Sequence, residues 1–589
     1  MTGNAPDFDD YANDAADLAK RLDRPVDDVV AEIRSHLREM SATHNPNVLA
    51  QWHALGRWML RGYDRLVDEE GLASLHTLDR GHSLVFLISH RSYLDEWVFP
   101  TALVELGLRA PFGFAGANLD FFPLGTIARR TGIVHIRRAT GDIPVYKLAL
   151  RTFIRRLIAD RANLIWSIEG GRSRTGKLRP PRLGLLRYVT DAVEEEESSD
   201  VLLVPVSILY DQLPTHEVEK MTAEARGQHK TPENVRWFFG YLRGLRRRLG
   251  RVYVDFGDPI ELRSRLHELK QDDAAETTAI ERIAVEVSHR INRATPVTPT
   301  AVVCIALLAA DRALTLESVL ETVEPLADYL RARNWHTAGA ANLTDKATIR
   351  RALQDLERTG VLSSFRGDTT VWGIQRSQHL IAAVYRNSAI HALIERAIVE
   401  VALEIVSSTE RTQATALDDA LRLRDLLKFE FFFAGRSEFA AALQSELDLI
   451  TGGNGISLTS IDAPTASTCL DRVGLFVAPL MLRPFIDAYA VVAYQLADLG
   501  DSTEFDEPWF IQRCLAVGNQ WALQRRNASA ESTSTEMFDT ALRLVRHLGL
   551  LNDRPDLGSS RVAFRSEIQS IQARIECLAR RTPVPRGLH

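Results

Sequence analysis

Between about residues 15 and 70, apolar positions recur every three to four residues, as in "DDVVAEIRSHLREM" and "LAQWHALGRWMLRGYDRLV". That spacing gives a helix one buried face. The pattern then changes to short apolar runs: "SLVFLIS" (83–89), "FGFAGA" (112–117), "GIVHIR" (132–137), "NLIWSI" (163–168), "VLLVPVS" (201–207) and "RVYVDF" (251–256). Amphipathic stretches such as "PVYKLALRTFIRRLIADR" and "RLGLLRYVTDAVEEEE" follow most of them. This alternation predicts an α/β domain whose central, mostly parallel and largely buried sheet is flanked by helices. The two prolines of "NRATPVTPT" (292–300) break the helical pattern and mark its exit. The expected organisation is an N-terminal helical region over 1–74, the α/β domain over 75–298 and a large, mainly helical C-terminal domain over 299–589. Within the last, "ATIRRALQDLERTGVLSSFRGDTTVWGI" (347–374) reads as a helix, a glycine and two short strands. The piece near 311–376 therefore resembles a winged-helix unit.

Composition narrows the class. A chain of 589 residues, 45% hydrophobic and 25% charged, is an ordinary globular composition with room for several domains. Cys304, Cys469, Cys514 and Cys577 lie far apart, without metal-ligand or redox spacing, which points to a reducing compartment and no metal site. The acidic start "MTGNAPDFDDYANDAADLAK" has no apolar core and is not a secretory signal. The longest purely apolar run, "AVVCIALLAA" (301–310), is half of the roughly 20 residues a spanning helix needs. "FVAPLMLRPFIDAYAVVAYQLA" (476–497) is longer but carries Arg483 and Asp487. No transmembrane helix is expected; contact with a membrane surface stays open.

Charge is uneven. Between Arg129 and Arg187 fifteen Lys or Arg stand against Asp142, Asp160 and Glu169, a balance of +12 in a chain whose net charge is −6. Such a field suits an anionic ligand rather than general solubility, with a solvated basic face as the plainer alternative.

Four clusters inside the α/β region carry chemistry. "SHRSYLDEW" ends an apolar run with His90 and places Asp95 five residues later. If a strand ends near Ser89 and a helix starts within the turn, both side chains can face one pocket. The carboxylate then fixes the imidazole tautomer and leaves a base for a substrate hydroxyl. The same residues also suit a histidine at a helix start whose first turn Asp95 stabilises. In "GIVHIRRAT", Arg137 and Arg138 close a strand and point to opposite faces, so one can meet an oxyanion while the other pairs elsewhere. "NLIWSIEGGRSRTGKLRPPRLG" runs an apolar strand into Glu169, Gly170 and Gly171, then Arg172, Ser173, Arg174 and Lys177. Glycines admit close approach of a ligand to the backbone, and the arginines and hydroxyl offer donors to phosphate. It is no Walker loop, because Leu178 follows Lys177. In "VLLVPVSILYDQLP", Pro205 reads as a strand end or bend beside a pocket, with Ser207 beyond it.

In this order, "HRSYLD", "GIVHIRR", "EGGRSRTGK" and "VPVSILYD" resemble the four blocks of the glycerolipid acyltransferases. More narrowly they resemble the glycerol-3-phosphate 1-O-acyltransferase family, with dihydroxyacetone-phosphate acyltransferases as close relatives. "RVYVDFGDPIEL" and "TPVTPTAVVCIALL" are similar to that family's downstream segments, and the likeness covers about 80–320 before loosening toward the C-terminus. The resemblance implies transfer of a fatty acyl chain from long-chain acyl-CoA or acyl-carrier protein to the 1-hydroxyl of sn-glycerol 3-phosphate, without a cofactor. It implies His90 as base, Asp95 as its orienting group, and acceptor contacts by Arg137 or Arg138, Glu169, Gly170, Arg172 and Ser173. Gly171, Arg174 and Lys177 join these as candidates from the third cluster, and Ser92, Pro205 and Ser207 as pocket-lining candidates. One departure stands out: Val134 and His135 occupy positions where that family carries phenylalanines.

The same chemistry on dihydroxyacetone phosphate or a lysophospholipid is the alternative. A remoter one is nucleic-acid binding through the winged-helix-like piece and the basic "RGLRRRLGR" (243–251). No nucleic acid is expected, because the strongest basic cluster follows sheet strands rather than a recognition helix. The expected location is the cytoplasmic membrane surface, bound peripherally, with 243–251 and the apolar stretch 476–485 as candidate contacts.

Overall fold

In this computed structural model the described residues are 11–105, 107–116, 124–137, 143–195, 201–225, 241, 245, 248–271, 277–310, 312–338, 341–408, 415–527 and 529–581. All six expected strands form. With two more they build an eight-stranded sheet of β1 (Tyr63–Val67), β2 (Ser83–Ile88), β3 (Phe112–Gly116), β4 (Ile133–Ile136), β5 (Leu164–Ser167), β6 (Val201–Tyr210), β7 (Gly250–Phe256) and β8 (Ile260–Glu261). The strand order is β1-β7-β6-β2-β5-β3-β4, with β8 paired to β6. β2 runs parallel to both β5 and β6, and β3 is parallel to β4 and β5. Every residue of β2 and β6 is buried, as apolar runs covered on both faces must be. Register sets Ile88 beside Ser167 of β5 and Val206 of β6. The segments leaving β2 and β5 therefore emerge side by side at the carboxyl edge, where open parallel sheets carry their sites.

Two expectations change. The helical reading of "GYDRLV" fails: the helix Pro46–Met59 gives way to a single turn, and Tyr63–Val67 becomes the sheet's edge strand β1. Asp68 N–H reaches the Val254 carbonyl at 2.9 Å, so partners distant in sequence supply what the local period does not. Pro205 is not a strand end. It lies inside the ten-residue β6, opposite Leu87 of β2. Its carbonyl accepts from Gly257 N–H at 2.9 Å. A strand residue's N and C=O face the same edge, so the missing donor falls on the gap between the end of β7 and the start of β8, where no ladder bond is lost.

Contacts divide the chain into two compact units. The first holds residues 1–172, 181–208 and 252–294; the second holds 173–180, 209–251 and 295–589. In the first, the helix Val26–Met40 packs on the helix Pro144–Ala159. The second is mainly helical. It includes a small antiparallel sheet of β9 (Leu314–Thr315), β10 (Ser363–Arg366) and β11 (Thr370–Gly373) in the order β10-β11-β9, with the helices Leu316–Ala332 and Lys346–Arg358 between β9 and β10.

The stretch 476–485 is not a surface. Phe476 and Phe485 are buried, and the helix Arg483–Asp498 packs along the helix Leu557–Arg581, where Asp487 accepts from Gln572 at 2.8 Å. Core packing supplies the partner that a membrane would otherwise have provided. Of the other candidate contact, 243–251, residues Arg243, Gly244, Arg246 and Arg247 lie outside the described residues. Among the described residues no helix is long and apolar enough to cross a membrane.

Candidate active site

The turn between β2 and the helix Asp95–Glu105 is tied down at each end. Ser89 N–H donates to the Val206 carbonyl at 2.9 Å, and its hydroxyl accepts from Ile208 N–H at 2.9 Å. His90 N–H donates to Glu169 Oε1 at 2.8 Å, joining the turn to the segment after β5. Asp95 Oδ2 then gathers three donors: Arg91 N–H at 2.7 Å, Ser92 N–H at 3.0 Å and His90 Nδ1 at 2.9 Å. Ser92 Oγ accepts from Leu94 N–H at 3.1 Å, so its hydroxyl shapes the turn. A carboxylate only accepts, which puts the imidazole proton on Nδ1 and the lone pair on Nε2. Asp95 is 1% exposed, whereas the His90 side chain keeps 18% exposure. The buried acid thus holds a ring that solvent can still reach.

Burial works against the imidazolium, but the hydrogen bond and charge of Asp95, helped by Glu96, outweigh it, and Arg172 pulls the other way. The net result is a His90 pKa above its ordinary value. Arg91, buried beneath the turn, has its pKa lowered by burial against the countering charges of Glu169 and Asp95. It is the counter-cation of two buried carboxylates.

After β5 the chain turns sharply. Gly170 has φ +64°, and a Cβ there would sit 2.6 Å from Arg182 Cγ. Arg182 N–H closes the turn on the Ile168 carbonyl at 2.8 Å. With Gly171 this brings Arg172 over the Tyr93 ring, its Cζ 3.6 Å from the centroid. Stacking uses the face of the guanidinium and holds its plane.

His90, Asp95, Glu169 and Arg172 are therefore brought together with Tyr93. Arg137, Ser173, Arg174 and Lys177 are engaged elsewhere. Arg137 forms a two-pronged pair with Glu39, at 3.0 and 2.7 Å, and its N–H meets the Tyr146 hydroxyl at 3.0 Å. Arg138 lies outside the described residues. Ser173 Oγ donates to the Lys177 carbonyl at 2.6 Å and accepts from Gly176 N–H at 3.1 Å. Arg174 pairs with Glu224 at 2.7 Å and Lys177 with Glu430 at 2.6 Å. Ser207 and Pro205 lie within β6, Ser207 at 1% exposure.

Sequence reasoning missed Arg91 and Tyr93 as contributors. The available signal was an aromatic residue and a second cation inside the histidine cluster, whose partners Arg172 and Glu169 lie 79 and 78 residues further along the chain.

The site's parts are a base with a fixed tautomer, a buried acid behind it and a stacked cation whose charge reaches the base. Such a set can deprotonate a hydroxyl held by an anionic group.

Comparison with known proteins adds to this geometry. The family described as "Acyltransferase" matches residues 70–209, and "Glycerol-3-phosphate acyltransferase C-terminal region" matches residues 221–554. Curated proteins of Mycobacterium bovis and Mycobacterium tuberculosis named "Putative acyltransferase plsB1" are 50% identical over 571 residues, covering 95% of this chain and 91% of theirs. A solved structure, the 1-acyl-sn-glycerophosphate acyltransferase PlsC of Thermotoga maritima, aligns over 41% of this chain and 76% of that one. The two chains are 18% identical, with a TM-score of 0.25.

Proposed function

The chain belongs to the glycerol-3-phosphate acyltransferase family, and on that premise we propose that it acylates the 1-hydroxyl of sn-glycerol 3-phosphate, using long-chain acyl-CoA or acyl-carrier protein as donor. That it is an acyltransferase of lipid biosynthesis follows from the membership. The acceptor and donor are the proposal.

The observation that carries it is the His90–Asp95 pair, 2.9 Å apart, with a stacked arginine beside it. In the step, His90 Nε2 takes the proton of the acceptor hydroxyl while the hydroxyl oxygen attacks the thioester carbonyl. The C–S bond breaks as the tetrahedral centre collapses, and the imidazolium returns its proton to the departing thiolate. Asp95 stabilises that imidazolium without taking the proton. Arg172 meets the acceptor phosphate, and its planar fork suits that group. A hydroxyl nucleophile that arrives with the substrate makes an enzyme serine or cysteine unnecessary.

The product is an amphiphile, so the enzyme works at the cytoplasmic membrane surface, held peripherally. Flotation with anionic liposomes tests this location: salt-sensitive binding supports it, and carbonate-resistant binding overturns it.

The deciding assay of function uses purified protein, labelled glycerol 3-phosphate and long-chain acyl-CoA, with acyl-carrier protein as a second donor. Formation of 1-acyl-glycerol 3-phosphate is expected. Faster turnover of dihydroxyacetone phosphate or of a lysophospholipid would reassign the acceptor.

A further inference from the structure

The helix His379–Asn387, far from every motif in sequence, ends on the second half of the third motif, and both lie in the second unit. Four consecutive residues of its last turn are involved. The Val384 carbonyl fills the space at Gly176, where a Cβ would come within 1.9 Å and where φ is +83°. The Tyr385 hydroxyl accepts from Leu213 N–H at 3.1 Å, just past the fourth motif. Asn387 Nδ2 donates to the Thr175 carbonyl at 2.8 Å and to Glu531 Oε1 at 2.6 Å. Arg386 donates to Asn387 Oδ1 at 3.1 and 2.8 Å and to Glu531 Oε2 at 2.5 Å.

These bonds leave the Asn387 amide one orientation. Its oxygen faces an arginine, which only donates, and its nitrogen faces a carbonyl and a carboxylate, which only accept. Arg386, Asn387 and Glu531 are 3%, 1% and 3% exposed. Two residues further along the motif, Lys177 is buried against Glu430, itself 2% exposed. Buried ion pairs do little for net stability, and their best-attested use is to impose one arrangement. What they arrange here is an eight-residue segment of small, hydroxyl and cationic residues with little apolar surface of its own. Arg172 immediately precedes it in the chain.

We propose that Asn387, locked by Arg386 and Glu531, and Glu430 are positioning residues of the acyl transfer: they fix the Ser173–Lys177 segment and, through the peptide bond to Ser173, the backbone of Arg172. The proposal rests on the reading of Arg172 as the acceptor-phosphate contact. It gives the helical C-terminal region a share in acceptor recognition.

The test uses full-length protein with Asn387→Asp, which turns the donor against Thr175 into an acceptor, and with Glu430→Gln, which keeps a hydrogen-bonding group against Lys177 but removes the charge. Acceptor and donor KM are measured by transfer, glycerol 3-phosphate binding by calorimetry, and fold by circular dichroism and thermal unfolding. Folded variants are expected to raise the acceptor KM and weaken binding about tenfold, the loss of one charge-assisted contact, with the donor KM within about twofold. Folded variants with wild-type acceptor KM and binding overturn the assignment. So does failure of both to fold, which would make the network purely structural. Wild-type protein that neither binds glycerol 3-phosphate nor transfers to it overturns the proposed function first and this assignment with it.

Discussion

As the proposed base, His90 needs its Nε2 free, so transfer should fall as pH drops through its pKa. That pKa is raised above 6.5, so the acidic limb of kcat/KM should have its midpoint above 6.5 and unit slope. Asp95→Asn removes the charge and weakens the hydrogen bond that raise it, leaving Glu96 alone against burial and Arg172, which both lower it; the limb should move to lower pH while the rate drops. A pH profile of both proteins checks the direction, and an unmoved limb would detach it from His90. His90→Ala should cost about 10²–10⁴-fold in turnover with the fold retained. Arg172→Ala should raise the glycerol 3-phosphate KM by roughly tenfold or more, because a charge-assisted hydrogen bond is worth about 1.5–3 kcal/mol. An effect on the acyl-donor KM alone would move this arginine to the donor side. The histidine, the aspartate and their spacing were legible because the pair is local, six residues of one turn. Tyr93 as a platform for Arg172 was not, since stacking depends on where two separate strands end.

Elements were legible where the pattern repeats and misread where a partner decides. The six apolar runs all became strands, buried throughout in β2 and β6 and in part in β3, β4, β5 and β7. Tyr63–Val67 fits helix or strand by spacing alone, and its place beside β7 settles the matter. Pro205 looked like a terminator because the ladder gap that spares its missing N–H is formed by residues 257–259. Two glycines test this level. Gly176→Ala forces a side chain into positive φ and onto the Val384 carbonyl, which should cost about 1–3 kcal/mol and raise the acceptor KM. Gly184→Ala meets nothing within 4 Å at the start of the helix Gly184–Glu195 and should be neutral or stabilise by about 0.4–1 kcal/mol. Chemical denaturation of the two variants separates strain from mere substitution.

At the scale of the molecule, an apolar stretch chooses between membrane and core by what else the chain can pack on it. Phe485 is buried and meets Phe431 edge-on with ring centroids 5.1 Å apart. Phe485→Ala should therefore lower stability by about 3–5 kcal/mol in urea unfolding. Liposome flotation of the folded fraction should be unchanged; a variant that keeps its stability but loses vesicle binding would restore the membrane reading. By itself the sequence determined the sheet strands, the pairing of His90 with Asp95 and the family likeness, because each rests on local period or short spacing. Tertiary structure alone decided that Arg137, Arg174 and Lys177 are met by Glu39, Glu224 and Glu430, and that Arg172 lies over Tyr93. Charge pairing depends on distance in space, and the carboxylates that claim those cations lie 50 to 253 residues away along the chain.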